Sequence, residues 1–70
     1  MQKGENAMDK ITLKAARVNA GLSQGEAAKR LNVAVSTLRN WESGKTFPTQ
    51  PKIEAICDLY NIPFDVLFFA

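Results

Sequence analysis

The sequence has no histidine and a single cysteine, Cys57. One cysteine cannot make a disulfide within the chain. Without histidine there is no Cys–His nucleophile, and the usual zinc ligand sets cannot be assembled. There is no paired-carboxylate constellation and no glycine-rich phosphate loop. Catalysis, a metal and a cofactor are therefore not expected. Long apolar runs are missing too. The longest late one, residues 66–70, falls far short of the ~20 residues that span a bilayer. The N-terminus carries no apolar stretch of the signal-peptide kind. A lone cysteine fits a reducing compartment. The expected setting is the cytoplasm, away from membranes.

What is present is enough for one small domain. The 70 residues are 46 % apolar and 23 % charged, a globular and not a disordered balance. A chain of this length buries only about 60 % of its unfolded surface, so its stability should be modest. The net charge of +2 hides an asymmetry. From Lys10 to Lys52 eight basic residues stand against Glu26 and Glu42; outside that stretch Lys3 stands against five acids. A basic middle between acidic ends suits an anionic partner, although solvated helix faces give the same count.

Residues 1–9 are polar and read as a flexible tail, with the folded domain over 10–70. The spacing predicts a first helix over 11–20, with Ile11, Leu13, Ala16 and Ala20 inward, closed by Gly21. Ser23 and Glu26 have the spacing of a capping box that opens a second helix over 24–31. Asn32 ends it in the left-handed region, which asparagine tolerates. A third helix follows, with Leu38 and Trp41 inward and Gly44 at its end. Thr49 and Pro51 suit the start of a fourth, burying Ile53, Ile56, Cys57 and Tyr60, with Asn61 as a second left-handed stop. Pro63 should begin a fifth helix over 64–68. The count is five short helices and no strand, an all-α fold.

The third helix poses a question. If Leu38 and Trp41 turn inward, the face with Val35, Ser36, Arg39 and Asn40 has no core to meet. The stretch "LKAARVNAGLSQGEAAKRLNVAVSTLRNWESGKTFP" resembles the helix-turn-helix domain of the phage repressor/Cro family, also called XRE-type regulators. The resemblance covers most of the chain. Gln24 matches the first position of the motif and Ala28 the small residue between its helices, and "WESGKTFP" is close to the family's "WExGKxxP". Asn32 stands where the family usually has Gly, and Ala34 and Val35 where many relatives are polar.

The resemblance implies a lambda-repressor-like domain whose second and third helices form the helix-turn-helix. It implies a sequence-specific regulator of transcription that sets its third helix in the major groove of a double-stranded DNA operator. Gln24 then corresponds to a phosphate-binding glutamine. Ser36 and Arg39 become candidates for base or phosphate contacts, and Ala34 and Val35 for thymine methyls. Asn40 would reach phosphate or base, and Lys45 and Thr46 would hold the DNA backbone. Arg17 and Glu42 occupy positions where the family pairs its first and third helices, so a partly buried salt bridge is expected. Relatives bind two half-sites as a symmetric pair. Phe64, Phe68 and Phe69 crowd a short terminal segment and form the expected surface of a weak homodimer. The chain reads either as a complete small regulator or as the DNA-binding part of a longer one. The alternative function is a protein-interaction module on the same fold, an antirepressor or antitoxin component, with Val35 as a protein contact.

Overall fold

A computed structural model describes residues 10–69. The expected tail over 1–9 lies outside the described residues. The chain folds as β1 (Ile11–Thr12), α1 (Leu13–Asn19), α2 (Gln24–Leu31), α3 (Val35–Glu42), α4 (Gln50–Tyr60), a 3-10 turn (Phe64–Val66) and β2 (Leu67–Phe68).

Local chemistry accounts for most helix boundaries. The Ser23 hydroxyl accepts from Glu26 N–H at 3.1 Å, and the Glu26 carboxylate accepts from Ser23 N–H at 2.9 Å. Those bonds to Ser23, with Arg30 nearby, hold the Glu26 carboxyl below its ordinary range. Gly21 and Gly44 close α1 and α3 at φ +77° and +80°. Asn32 and Asn61 close α2 and α4 at φ 60° and 56°. Each sits in the left-handed region, where glycine and asparagine are the least strained residues.

The core joins all four helices. Leu38 and Ile56 are completely enclosed, each contributing about 1.5–3 kcal/mol of apolar burial. Ala27 and Ala28 are buried with Leu31, and their small side chains let α3 approach α2 closely. Trp41 and Tyr60 complete the centre from α3 and α4.

The ends of the chain depart from the sequence reading. There are four α-helices among the described residues, not five, and the segment after Pro63 is a 3-10 turn followed by a strand. β2 pairs in parallel with β1, Ile11 opposite Leu67 and Thr12 opposite Phe68. Val66, Phe68 and Phe69, β-branched and aromatic, favour extended backbone over helix. Leu67 is thereby buried, and Lys10 Nζ donates to the Asp65 carbonyl at 2.7 Å. The same pairing shortens α1. Ile11 is extended, and the Thr12 hydroxyl caps the helix by accepting from Ala15 N–H at 3.1 Å. Ala20 is exposed past the helix end rather than inward. Thr49 takes the N-cap position of α4, but its side chain makes no capping bond. Ile53 and Cys57 are half-buried, whereas Ile56 and Tyr60 are buried. Among the described residues no helix is long and apolar enough to cross a membrane.

Candidate nucleic-acid interface

α3 has two unlike sides. Leu38 and Trp41 anchor one side in the core. Ala34, Val35, Ser36 and Arg39 are exposed on the other, and Asn40 is half-buried. Val35 keeps 37 % of its surface accessible. Among the described residues the Arg39 guanidinium has no ion-pair partner. Ala34 has no side chain with which to cap the helix, and no side-chain bond closes that end.

Past α3, the Asn40 carbonyl accepts from Lys45 N–H at 2.9 Å and Thr46 N–H at 3.3 Å. It also accepts from the Ser43 hydroxyl at 3.1 Å. The backbone of Lys45 and Thr46 is therefore held while both residues remain exposed.

Arg17, Gln24 and Glu42 meet where α1, α2 and α3 converge. Arg17 Nε donates to Glu42 Oε2 at 2.7 Å, with the two side chains only 9 % and 5 % exposed. Arg17 Nη2 reaches Glu42 Oε1 at 3.4 Å, and Nη1 donates to the Leu22 carbonyl at 2.8 Å. A buried charge pair of this kind is tolerable because further hydrogen bonds satisfy it. Gln24 Nε2 also donates to Glu42 Oε1, at 3.0 Å. The sequence marked out Gln24 and Glu42 separately; only the folded arrangement joins them.

The surroundings of two further polar groups, the Lys52 ammonium and the Tyr60 hydroxyl, were not legible in the sequence. Lys52 Nζ donates to the Leu31 carbonyl at 2.7 Å, so it serves the end of α2. The Tyr60 hydroxyl is enclosed without a hydrogen-bond partner among the described residues. Burial pushes its pKa up to about 12, with Glu42 adding to the shift and Arg17 opposing it. Cys57 behaves as a packing residue, its thiol pushed up by burial and then by Asp58.

The three aromatic residues expected at a dimer surface separate into two sorts. Phe64 and Phe68 are 58 % and 49 % exposed. Phe69 is half-buried and meets Phe47 edge to face, ring centroids 6.3 Å apart.

Comparison with known proteins gives a consistent picture. The helix-turn-helix family matches residues 13–67. The chain is 38 % identical over 55 residues to the HTH-type transcriptional regulator ImmR of Bacillus subtilis (strain 168), an alignment covering 79 % of this chain and 43 % of that protein. The chain thus spans less than half the length of this curated relative. No solved structure matches it significantly.

Proposed function

Since the chain belongs to the helix-turn-helix family, we propose that it is a sequence-specific double-stranded DNA-binding regulator of transcription, of the repressor or Cro kind. It acts by binding and not by catalysis, in the cytoplasm. α3 enters the major groove, which admits one α-helix. The observation that carries this reading is the outward side of α3. Val35, Ser36 and Arg39 are exposed there, directly behind the buried anchors Leu38 and Trp41.

Arg39 and Ser36 offer hydrogen-bond donors to base edges or phosphates, and Ala34 and Val35 offer methyl contacts to thymine. Gln24, Lys45 and Thr46 fix the register on the DNA backbone, which positions the protein without reading sequence, and Asn40 reaches phosphate or base. One α3 reads few base pairs, so two copies share an operator. They associate weakly through the Phe64, Phe68 and Phe69 region.

A salt-titrated mobility shift tests the reading, first on random duplex and then on sites selected from a randomised pool. Affinity should fall steeply with salt as condensed counterions are released. Arg39→Ala should relax preference at one operator position, whereas Gln24→Ala should weaken all sequences alike. The absence of steep salt dependence on either duplex would instead favour the protein-interaction module.

A further inference from the structure

Glu42 is packed at the end of α3, and its negative charge is matched by Arg17 rather than directed at solvent. Its Oε1 is nevertheless shared with the side chain of Gln24, at the first position of α2. We propose that Glu42 is a positioning residue for DNA binding: it orients the Gln24 amide so that a phosphate meets a hydrogen-bond donor. The proposal rests on the DNA-binding reading given above.

An amide side chain has two ends of opposite polarity, one accepting and one donating. Free in solvent, Gln24 could present either end to an approaching phosphate. A carboxylate can only accept. Glu42 therefore selects the orientation with Nε2 turned towards Oε1, as the 3.0 Å contact requires. One N–H of the amide is used in that bond. The second remains to donate to a phosphate oxygen.

Arg17 makes this arrangement compatible with DNA. Its guanidinium bonds both carboxylate oxygens, at 2.7 and 3.4 Å, so the pair presents little net negative charge to the phosphate. Arg17 is itself tied to the Leu22 carbonyl, just before α2. The position of the Gln24 amide is thereby referred to three helices, with little freedom left to lose on binding.

Glu42→Gln provides a sharp perturbation. Arg17 Nε claims the new amide's oxygen, which leaves the new NH2 group facing Gln24. Gln24 must then turn its own oxygen inward. The atom that offered the second N–H to phosphate is replaced by one bearing lone pairs.

The experiment uses the full chain and selected duplexes in which single phosphates are replaced by neutral methylphosphonates. For the wild type, one replacement should weaken binding about tenfold, the loss of one hydrogen bond to a charged group. Gln24→Ala should be insensitive to that replacement. Glu42→Gln should lose the same sensitivity although Gln24 is still present. A merely structural Glu42 would lower affinity without singling out a phosphate. Full retention of the sensitivity in Glu42→Gln overturns the proposal.

Should that variant not melt cooperatively, the wild type decides. In a 15N-labelled sample, the Gln24 N–H bonded to Glu42 should persist on saturation with duplex, while its geminal partner shifts. Loss of the Glu42-bound signal means that Gln24 abandons Glu42 on DNA, and the proposal fails. If no duplex is bound in a salt-dependent manner, the DNA reading fails and the positioning role falls with it.

Discussion

Lys52 Nζ lies 2.7 Å from the carbonyl oxygen of Leu31, so the first turn of α4 supplies a cation to the end of α2. The last carbonyls of a helix lack intrahelical partners, and positive charge is favourable beside them. This bond ties one half of the helix-turn-helix to the helix behind it.

Lys52→Met should therefore destabilise the fold by about 1 kcal/mol, the lost charge-assisted bond being partly offset by the retained aliphatic stem. In a domain of this size that corresponds to a melting temperature lower by about 4–8 °C. A lysine that contacted phosphate would behave differently, reducing the salt slope of DNA binding by about 1. Thermal melts and salt titrations of the same variant separate the two roles. An unchanged melting temperature with a shallower slope would place Lys52 on DNA.

Tyr60→Phe should leave the protein at least as stable at neutral pH, with a gain of up to about 1 kcal/mol. Among the described residues the buried hydroxyl has no partner to offset its desolvation. The pH dependence has a definite sign. The phenol's ordinary value is 10.0 and in the fold it is pushed up to about 12. The unfolded chain loses this proton first, so the tyrosine's contribution is intact below pH ~10 and declines as pH rises towards 12. Urea midpoints between pH 8 and 11.5 should show the wild type falling relative to Tyr60→Phe. Parallel curves would mean that the phenol titrates as if exposed.

The parts legible from sequence are those specified by neighbours in the chain. Ser23 and Glu26 form their capping box within one turn, and Asn32, Asn61, Gly21 and Gly44 report their own backbone angles. The strand pair escaped because it joins distant segments, and two-residue strands are too short to carry an alternating pattern. A run such as "VLFF" fits a helix end or a strand equally well. At the candidate site, the outward face of α3 followed from Leu38 and Trp41. The Gln24 to Glu42 bond did not, because it depends on how α2 meets α3. Lys52 had the look of any solvated lysine.

Asn32→Gly should be tolerated and Asn32→Val should not. At φ 60° the backbone is one that glycine enters freely and a β-branched residue enters only with strain. The expected cost of valine is about 1–3 kcal/mol. Val33 N–H donates to the Ala28 carbonyl at 3.0 Å across this turn, so strain there reaches the packing of α3 on α2. Comparing the melts of the two variants checks the point. A valine variant as stable as the wild type would show that the turn relaxes to another geometry.

Association through the terminal strand can be tested without damaging the core. Phe69 is a poor choice for substitution, because it is half-buried against Phe47 and its loss would also cost stability. Phe68 is better suited. Its neighbour Leu67 is buried, and successive residues of a strand point to opposite faces, which leaves Phe68 49 % exposed. Phe64 is exposed on the preceding turn. An apolar group that is already in water contributes little to the folded monomer but can be buried against a second copy. Phe68→Ser should therefore leave the melting temperature of dilute protein nearly unchanged. It should weaken self-association in sedimentation at rising concentration, and weaken cooperative loading of two copies on a selected operator. One copy per operator at saturation, or association unaltered by the substitution, would remove this surface as the route to a dimer.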